Sequence, residues 1–528
     1  MQKKPARLWI TALFLGWCVD FLFFSHAPGI SFAIYVLLTL LAGFVLLWLD
    51  GFRPARNTLL LLPLILFFAS MTFIREEALS VFLATALTLF LMAGLAVTYR
   101  GGEWLRYSLA DYFARGFDLL GSLATRPFIF AVGLKKLQDN AEGTRKPDSR
   151  IWPVLRGFAI AIPVVAFFAS LLASADLVFA QRLSDLTAIF KLENLPEYIF
   201  RFTYILVCAF ALAGVYLHAA QRSSDEKLLG LEKPVVPAFF GFTEASIVLG
   251  SVVVLFAAFV MIQFQYFFGG LVNIHLDGYT YADYARKGFG ELVGVAFFAL
   301  LLFLGLTTIT KRETTFHQKM FSGLGVALLA LVAVMLVSAY QRLVLYENAY
   351  GFTRLRTYTH VFMVWIAILL AVVVVLELIR RQRIFALAAL LATLGFAISL
   401  NLLNVDAFIF QRNLARFEQG QMLDVGYLAS LSSDAVPGMV KAYENPASKI
   451  ETLDRLGAVL VCFQHANNFS DQDQSWQAFH LSRYQALTWL QRVSPSLKAY
   501  QLDASDWPVT VTTPLGAKYD CSSDSMMD

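Results

Sequence analysis

Long runs of about twenty apolar residues, almost free of charge, recur from Leu8 to Leu403 and constrain this chain more than any other feature. A helix crossing a bilayer needs about 20 mostly apolar residues, within a range of about 17–25. Eleven runs meet that length: residues 8–25, 30–49, 57–74, 77–98, 152–173, 198–219, 239–266, 290–310, 320–340, 358–379 and 384–403. Lipid offers the backbone no hydrogen bonds, so each run must satisfy its own peptide groups as a helix. The runs are apolar on every face and do not alternate with a period of two, which argues against a barrel. The expected fold class is therefore all-α: a polytopic bundle of eleven transmembrane helices followed by a small helical domain.

Composition agrees. Of 528 residues 58% are apolar and 15% charged, against about 25% charged in soluble proteins. That excludes a soluble enzyme, a disordered chain and a disulfide-stapled secreted domain. The expected organisation is four transmembrane helices in 1–98, an inner segment in 99–151, a seven-helix membrane domain in 152–403 and a soluble helical domain in 404–528. Within 99–151, Trp104, Leu105, Leu109, Tyr112, Phe113, Phe117 and Leu120 recur at helical spacing between Arg106, Asp111, Arg115 and Asp118. That pattern predicts an amphipathic helix lying in the membrane interface, with a linker after it.

Orientation follows from lysine and arginine. With the N-terminus in the cytoplasm, the inner segments of 1–404 hold 24 basic residues and the outer loops nine. Eleven spans then place the C-terminal domain outside the cytoplasm. That domain carries 14 acidic and 9 basic residues, while the membrane body is basic. Neither part concentrates lysine and arginine on a soluble face, so nucleic acid is not an expected partner. Cys462 and Cys521 share the tail, where an oxidising compartment would let them pair; two free thiols are the alternative. Trp476, Phe479, Arg483, Leu487 and Leu490 predict one face of a tail helix.

Four stretches are distinctive together: YTYADYARKGFGELV (279–293), LYENAYGFTRLRTY (345–358), LNLLNVDAFIFQRNLAR (400–416) and LDVGYLASLSSDAVP (423–437). In these the chain resembles a bacterial multi-pass membrane family known as domain of unknown function 4173, over roughly residues 240–440. The resemblance implies an integral membrane protein, and the bacterial inner membrane is the expected location. It supplies no activity and no site residue.

Under the predicted topology these stretches share the outer face. They bring there Asp283, Arg286 and Glu291; Arg342, Tyr346, Glu347, Tyr350 and Arg354; and Asn401, Asn404, Asp406 and Arg412. Arginine offers a planar fork to carboxylate and phosphate. Ionisable groups at membrane depth are expensive, which makes the cluster a candidate ligand site. The expectation is binding or transport of an anionic solute or lipid head group there. The competing reading is a set of structural ion pairs, such as Asp283–Lys287 and Glu347–Arg354. An enzyme acting on a lipid-linked substrate, with Asp283, Glu291 or Glu347 as acid or base, is an alternative. A structural, sensory or assembly component whose tail binds an extracytoplasmic protein is another. Glu244 reads as a snorkelling or helix-N-terminal acid, with a proton-coupling carboxylate as the alternative, and Glu377 pairs with Arg381 on spacing. The sequence has no GxxxxGK[ST], GxSxG or HExxH motif and no cysteine–histidine cluster with metal spacing, so no cofactor or metal is expected.

Overall fold

A computed structural model describes residues 4–141, 195–224, 228–230, 235–268, 289–467 and 475–522, with isolated positions between 157 and 181. Eleven helices among the described residues are long and apolar enough to cross a membrane. Ten coincide with runs read from the sequence. The run at 152–173 lies mostly outside the described residues. The eleventh membrane-length helix is instead Leu109–Lys135, the segment expected to lie in the interface. By chain contacts the protein divides into two compact units.

The first unit holds residues 1–24, 38–53 and 117–222. Helix α1 (Pro5–Phe23) packs along helix α7 (Leu195–Gln221). Leu8, Ala12 and Leu15 interlock with Ala209, Ala213 and Leu217, and Leu46 from helix α2 (Ile30–Leu49) closes the cluster. One buried ion pair pins the two helices. Asp20 accepts from Arg201 Nε at 2.9 Å and Nη2 at 2.6 Å, and also from the Tyr204 hydroxyl. Helix α6 (Leu109–Ala141) crosses α7 at Gly214, where a Cβ would stand 2.6 Å from Leu123 Cα. His218 Nδ1 meets Ser122 Oγ there at 2.8 Å.

The second unit holds residues 25–37, 54–116 and 223–528. A short helix α3 (Arg56–Leu59) leads into α4 (Leu61–Ile74), which forms a tight hairpin with α5 (Ala78–Thr98). Helices α8 (Phe242–Phe268) and α9 (Phe289–Ile309) pack on α10 (Thr315–Tyr350), which packs on α11 (Arg354–Leu378) and that on α12 (Phe385–Leu403). Their core is aliphatic and aromatic: Phe303, Phe321, Leu328, Val332, Leu343 and Leu370 are fully or nearly fully buried. Glu244 accepts from Gly241 N–H at 2.8 Å, in keeping with a helix-N-terminal acid.

The tail begins at Asn404, whose φ of 53° breaks the helix. It continues as α13 (Val405–Glu418), α14 (Val425–Ala429), α15 (Val436–Tyr443), α16 (Ile450–Asn467) and α17 (Leu481–Leu497). Three short antiparallel strands follow, β1 (Gln501–Asp503), β2 (Thr510–Thr512) and β3 (Lys518–Asp520), in that order across the sheet. These strands are an addition to the all-helical tail expected from sequence. Val511 turns inward and Tyr519 packs beside it, an alternation too short to stand out from the Asp/Ser-rich composition. In α17 the buried positions are Ser482, Ala486, Leu490, Val493 and Leu497, so the expected Arg483–Leu487 face is corrected by one residue. Trp476 and Phe479 precede the helix. The tail's core joins the membrane helices: Leu79, Leu83, Tyr358, Val361 and Phe396 pack against the cluster built on Phe410, Met439, Leu456 and Phe463.

Candidate functional site

Two turns between membrane helices, and the bend that follows the last of those helices, meet the tail. These are residues 75–77 between α4 and α5, residues 351–353 between α10 and α11, and Asn404 after α12. In the first two the tail supplies partners for the turn's polar groups.

Arg354 opens α11. Its Nε and Nη2 donate to Asp406 Oδ1 and Oδ2 at 2.8 and 2.6 Å, and Nη2 reaches Ser430 O at 3.1 Å. Its backbone N–H donates to the Tyr427 hydroxyl. Asp406 is 0% exposed and also accepts from Ser432 N–H at 2.7 Å. A bidentate charge-assisted pair of this kind fixes both distance and orientation. Beside it, Asn413 brackets Phe352 by accepting from its N–H and donating to its carbonyl. Arg416 and Arg356 donate to carbonyls of Asn348, Ala349 and Gly351, which the C-terminus of α10 leaves without partners. Burial and the neighbouring Arg356 charge hold Arg416 below the usual arginine range.

The 75–77 turn is the second half of the site. Glu77 caps α5, accepting from Leu79 N–H, Ser80 N–H and Ser80 Oγ, and it also accepts from the Tyr358 hydroxyl. Glu76 accepts from Ser433 N–H at 3.0 Å and from Arg483 of α17. Asp434 accepts from the N–H groups of Glu76 and Glu77, with Arg75 at 3.7 Å. Arg75 in turn donates to Asn401 O at 2.9 Å. Burial pushes Glu76 upward, but donation from Ser433 and Arg483 and the Arg483 charge hold it below the ordinary 4.5. Burial lifts Asp434 above 3.8 despite the donating Glu76 N–H. Burial lowers His480 below 6.5, against the attraction of Glu76.

These shifts give a pH prediction. An unfolded chain protonates this imidazole as pH falls through 6.5, whereas the buried ring takes the proton only at lower pH. The docked tail therefore loses stability from pH 6.5 downward, and Glu76 adds a loss below 4.5. Asp434 acts oppositely, giving up stability as pH rises from 3.8. The melting temperature of the full chain should fall between pH 7.5 and 5.5, and less in His480→Gln. An equal fall in both proteins would show that His480 takes no part.

Of the residues selected from sequence, the structure brings together Arg354, Asp406 and Asn401. Asn404 supplies the bend, and Arg412 stacks 5.1 Å from the Phe408 ring. Tyr346 and Tyr350 share a face of α10 with their rings 5.1 Å apart, and Arg356 covers Tyr346. Glu347 does not pair with Arg354 as expected; its Oε2 lies 3.1 Å from His360 Nδ1. Glu347 and His360 face each other between α10 and α11, while Arg354 turns toward the tail. Glu291 is exposed at the start of α9 and Arg342 is partly buried on α10. Asp283 and Arg286 lie outside the described residues, as does any Asp283–Lys287 pair. Glu76, Glu77, Asp434 and His480 are not among the site residues read from the sequence. The one sequence signal for Glu77 is three consecutive charged residues, Arg75–Glu77, in a turn between two apolar runs.

At the opposite ends of the same helices lies a second buried set. Asp111, expected on the polar face of an interfacial helix, is 0% exposed. It accepts from Ser108 N–H and Oγ, Leu229 N–H and Arg383. Glu377 accepts from Arg312, Ser322 and Gln382 rather than pairing with Arg381. The Arg381 backbone N–H closes the end of α11 on Leu376 O. Cys462 and Cys521 are joined with Cα atoms 5.2 Å apart, tying α16 to the end of the sheet.

The helices and their buried polar ends define a polytopic α-helical membrane protein. Residues 61–442 match a family model described as Domain of unknown function (DUF4153), and the chain belongs to that family. The resemblance to family 4173 is thereby corrected in number, while its reading as a membrane family of unknown function stands. No curated protein and no solved structure matches the chain.

Proposed function

We propose that this protein is a structural or assembly component of the bacterial inner membrane, a platform that holds its C-terminal domain fixed against the ends of its helices. The N-terminus is cytoplasmic and the domain extracytoplasmic in this reading. One observation carries it: Arg354, the arginine best placed to hold an anion, is spent on Asp406 and Ser430 of the chain's own tail. An anion would have to displace Asp406. It would also meet the carboxylates of Glu76, Glu77 and Asp434 nearby. The geometry favours a docking surface over an anion pocket. A fixed domain suits a protein that presents a surface to an extracytoplasmic partner.

Thiol labelling tests the orientation. With Cys18 and Cys208 replaced by alanine, intact cells are treated with a membrane-impermeant maleimide. Cys462 and Cys521 should label, and only after reduction. Labelling that requires lysis, despite reductant, would place the domain in the cytoplasm and overturn the extracytoplasmic platform.

A further inference from the structure

The tail carries an aromatic group at a height that the membrane helices fix. Helix α2 has 20 residues, about 30 Å at 1.5 Å per residue, which matches the hydrocarbon thickness of a bilayer. Its first residue, Ile30, therefore stands at the edge of the hydrocarbon. Ile30 N–H donates to Phe479 O at 2.9 Å. The contact is close because residue 29 is glycine: a Cβ there would lie 2.6 Å from both Ala478 C and Phe479 O. Four residues on, Arg483 binds Glu76 in the turn between α4 and α5, a second point where the chain leaves one span and enters the next. The start of α17 is thus tied to two span ends.

Around these ties three aromatic side chains are exposed. Trp476 is 51% exposed, Phe479 37% and Tyr484 59%, with the Phe479 and Tyr484 rings 6.0 Å apart. A soluble domain gains nothing by exposing three aromatic rings together. At the rim of a bilayer such rings place their apolar bodies against acyl chains and their polar edges among head groups. We infer that Trp476, Phe479 and Tyr484 form an interfacial anchor, seated in the head-group layer of the leaflet at which α2 begins. The domain then lies on the membrane as well as on the helices, and the lipid surface is its second partner. The inference does not depend on which side of the membrane the domain faces.

Its test uses the full chain in nanodiscs, with Cys18 and Cys208 replaced by alanine and the tail cysteines left joined. Tyr484→Cys and Trp476→Cys are each labelled with an environment-sensitive fluorophore. Trp507→Cys, at a 76% exposed position between β1 and β2, serves as comparison. Lipids bearing a nitroxide on the head group should quench the first two probes at least twofold more than the third. Equal quenching at all three positions, or none at 476 and 484, would overturn the anchor. The two labelled positions are already exposed, and gel-filtration elution as for the unlabelled chain establishes that each variant is folded.

Discussion

Asp406→Ala is expected to be the most damaging single substitution in the tail. It removes both partners of the Arg354 fork and the acceptor for Ser432 N–H in one step. Arg354 would remain two-thirds buried with its charge uncompensated. Breaking a buried pair by deleting one member costs roughly 3–5 kcal/mol, because the surviving charge keeps its desolvation penalty. The loss should appear as a lower unfolding midpoint of the purified chain and as faster proteolysis between α12 and α15. Asp406→Asn should lie between the variant and the wild type, since the amide oxygen still accepts one hydrogen bond. An unchanged midpoint in Asp406→Ala would mean that the pair is solvated in the protein and does not dock the tail.

The second large effect is the bridge between Cys462 and Cys521, which spans 59 positions of sequence. Closing a loop of that size removes about 4 kcal/mol of unfolded-chain entropy in the chain-entropy account. The replacement Cys462→Ala with Cys521→Ala should therefore destabilise the domain by about that amount. Strands β2 and β3 should lose protection against hydrogen exchange before α16 does, because the bridge holds the sheet's end to that helix. Reductant applied to the wild type should produce the same loss. A midpoint indifferent to reductant would show that the thiols are free in the native protein.

Most of the architecture was legible because lipid leaves so few choices. A run such as 320–340 can only be a helix, and the structure extends it at both ends to Thr315–Tyr350. Legibility failed where apolar content stopped deciding. Residues 109–135 carry both an amphipathic pattern and membrane-crossing length, so composition supports either placement. The strands after Tyr500 are three residues each and rest on packing against α16 and α14. The site was half legible. Arg354 and Asp406 stood out as charges beside apolar runs, and their spacing of 52 residues carried no hint that they pair. Glu347 illustrates the same limit: proximity in sequence suggested Arg354, whereas the turn at Gly351 sends the two side chains to different neighbours. Glu77 and Asp434 are 357 residues apart, a contact that only the docked tail creates.

Docking by Arg354 and Asp406 is the central claim, and a double-mutant cycle tests it most directly. Arg354→Met and Asp406→Leu are compared singly and together, by unfolding midpoint and by the growth or envelope phenotype of a deletion strain. If the pair only joins tail to helices, the double variant should be markedly more stable than the two single losses added, and should restore the phenotype. Additive losses would show that the residues do not act as a pair. A double variant that regains its fold but not the phenotype would show that Arg354 serves a ligand after all, and the docking account would fail there.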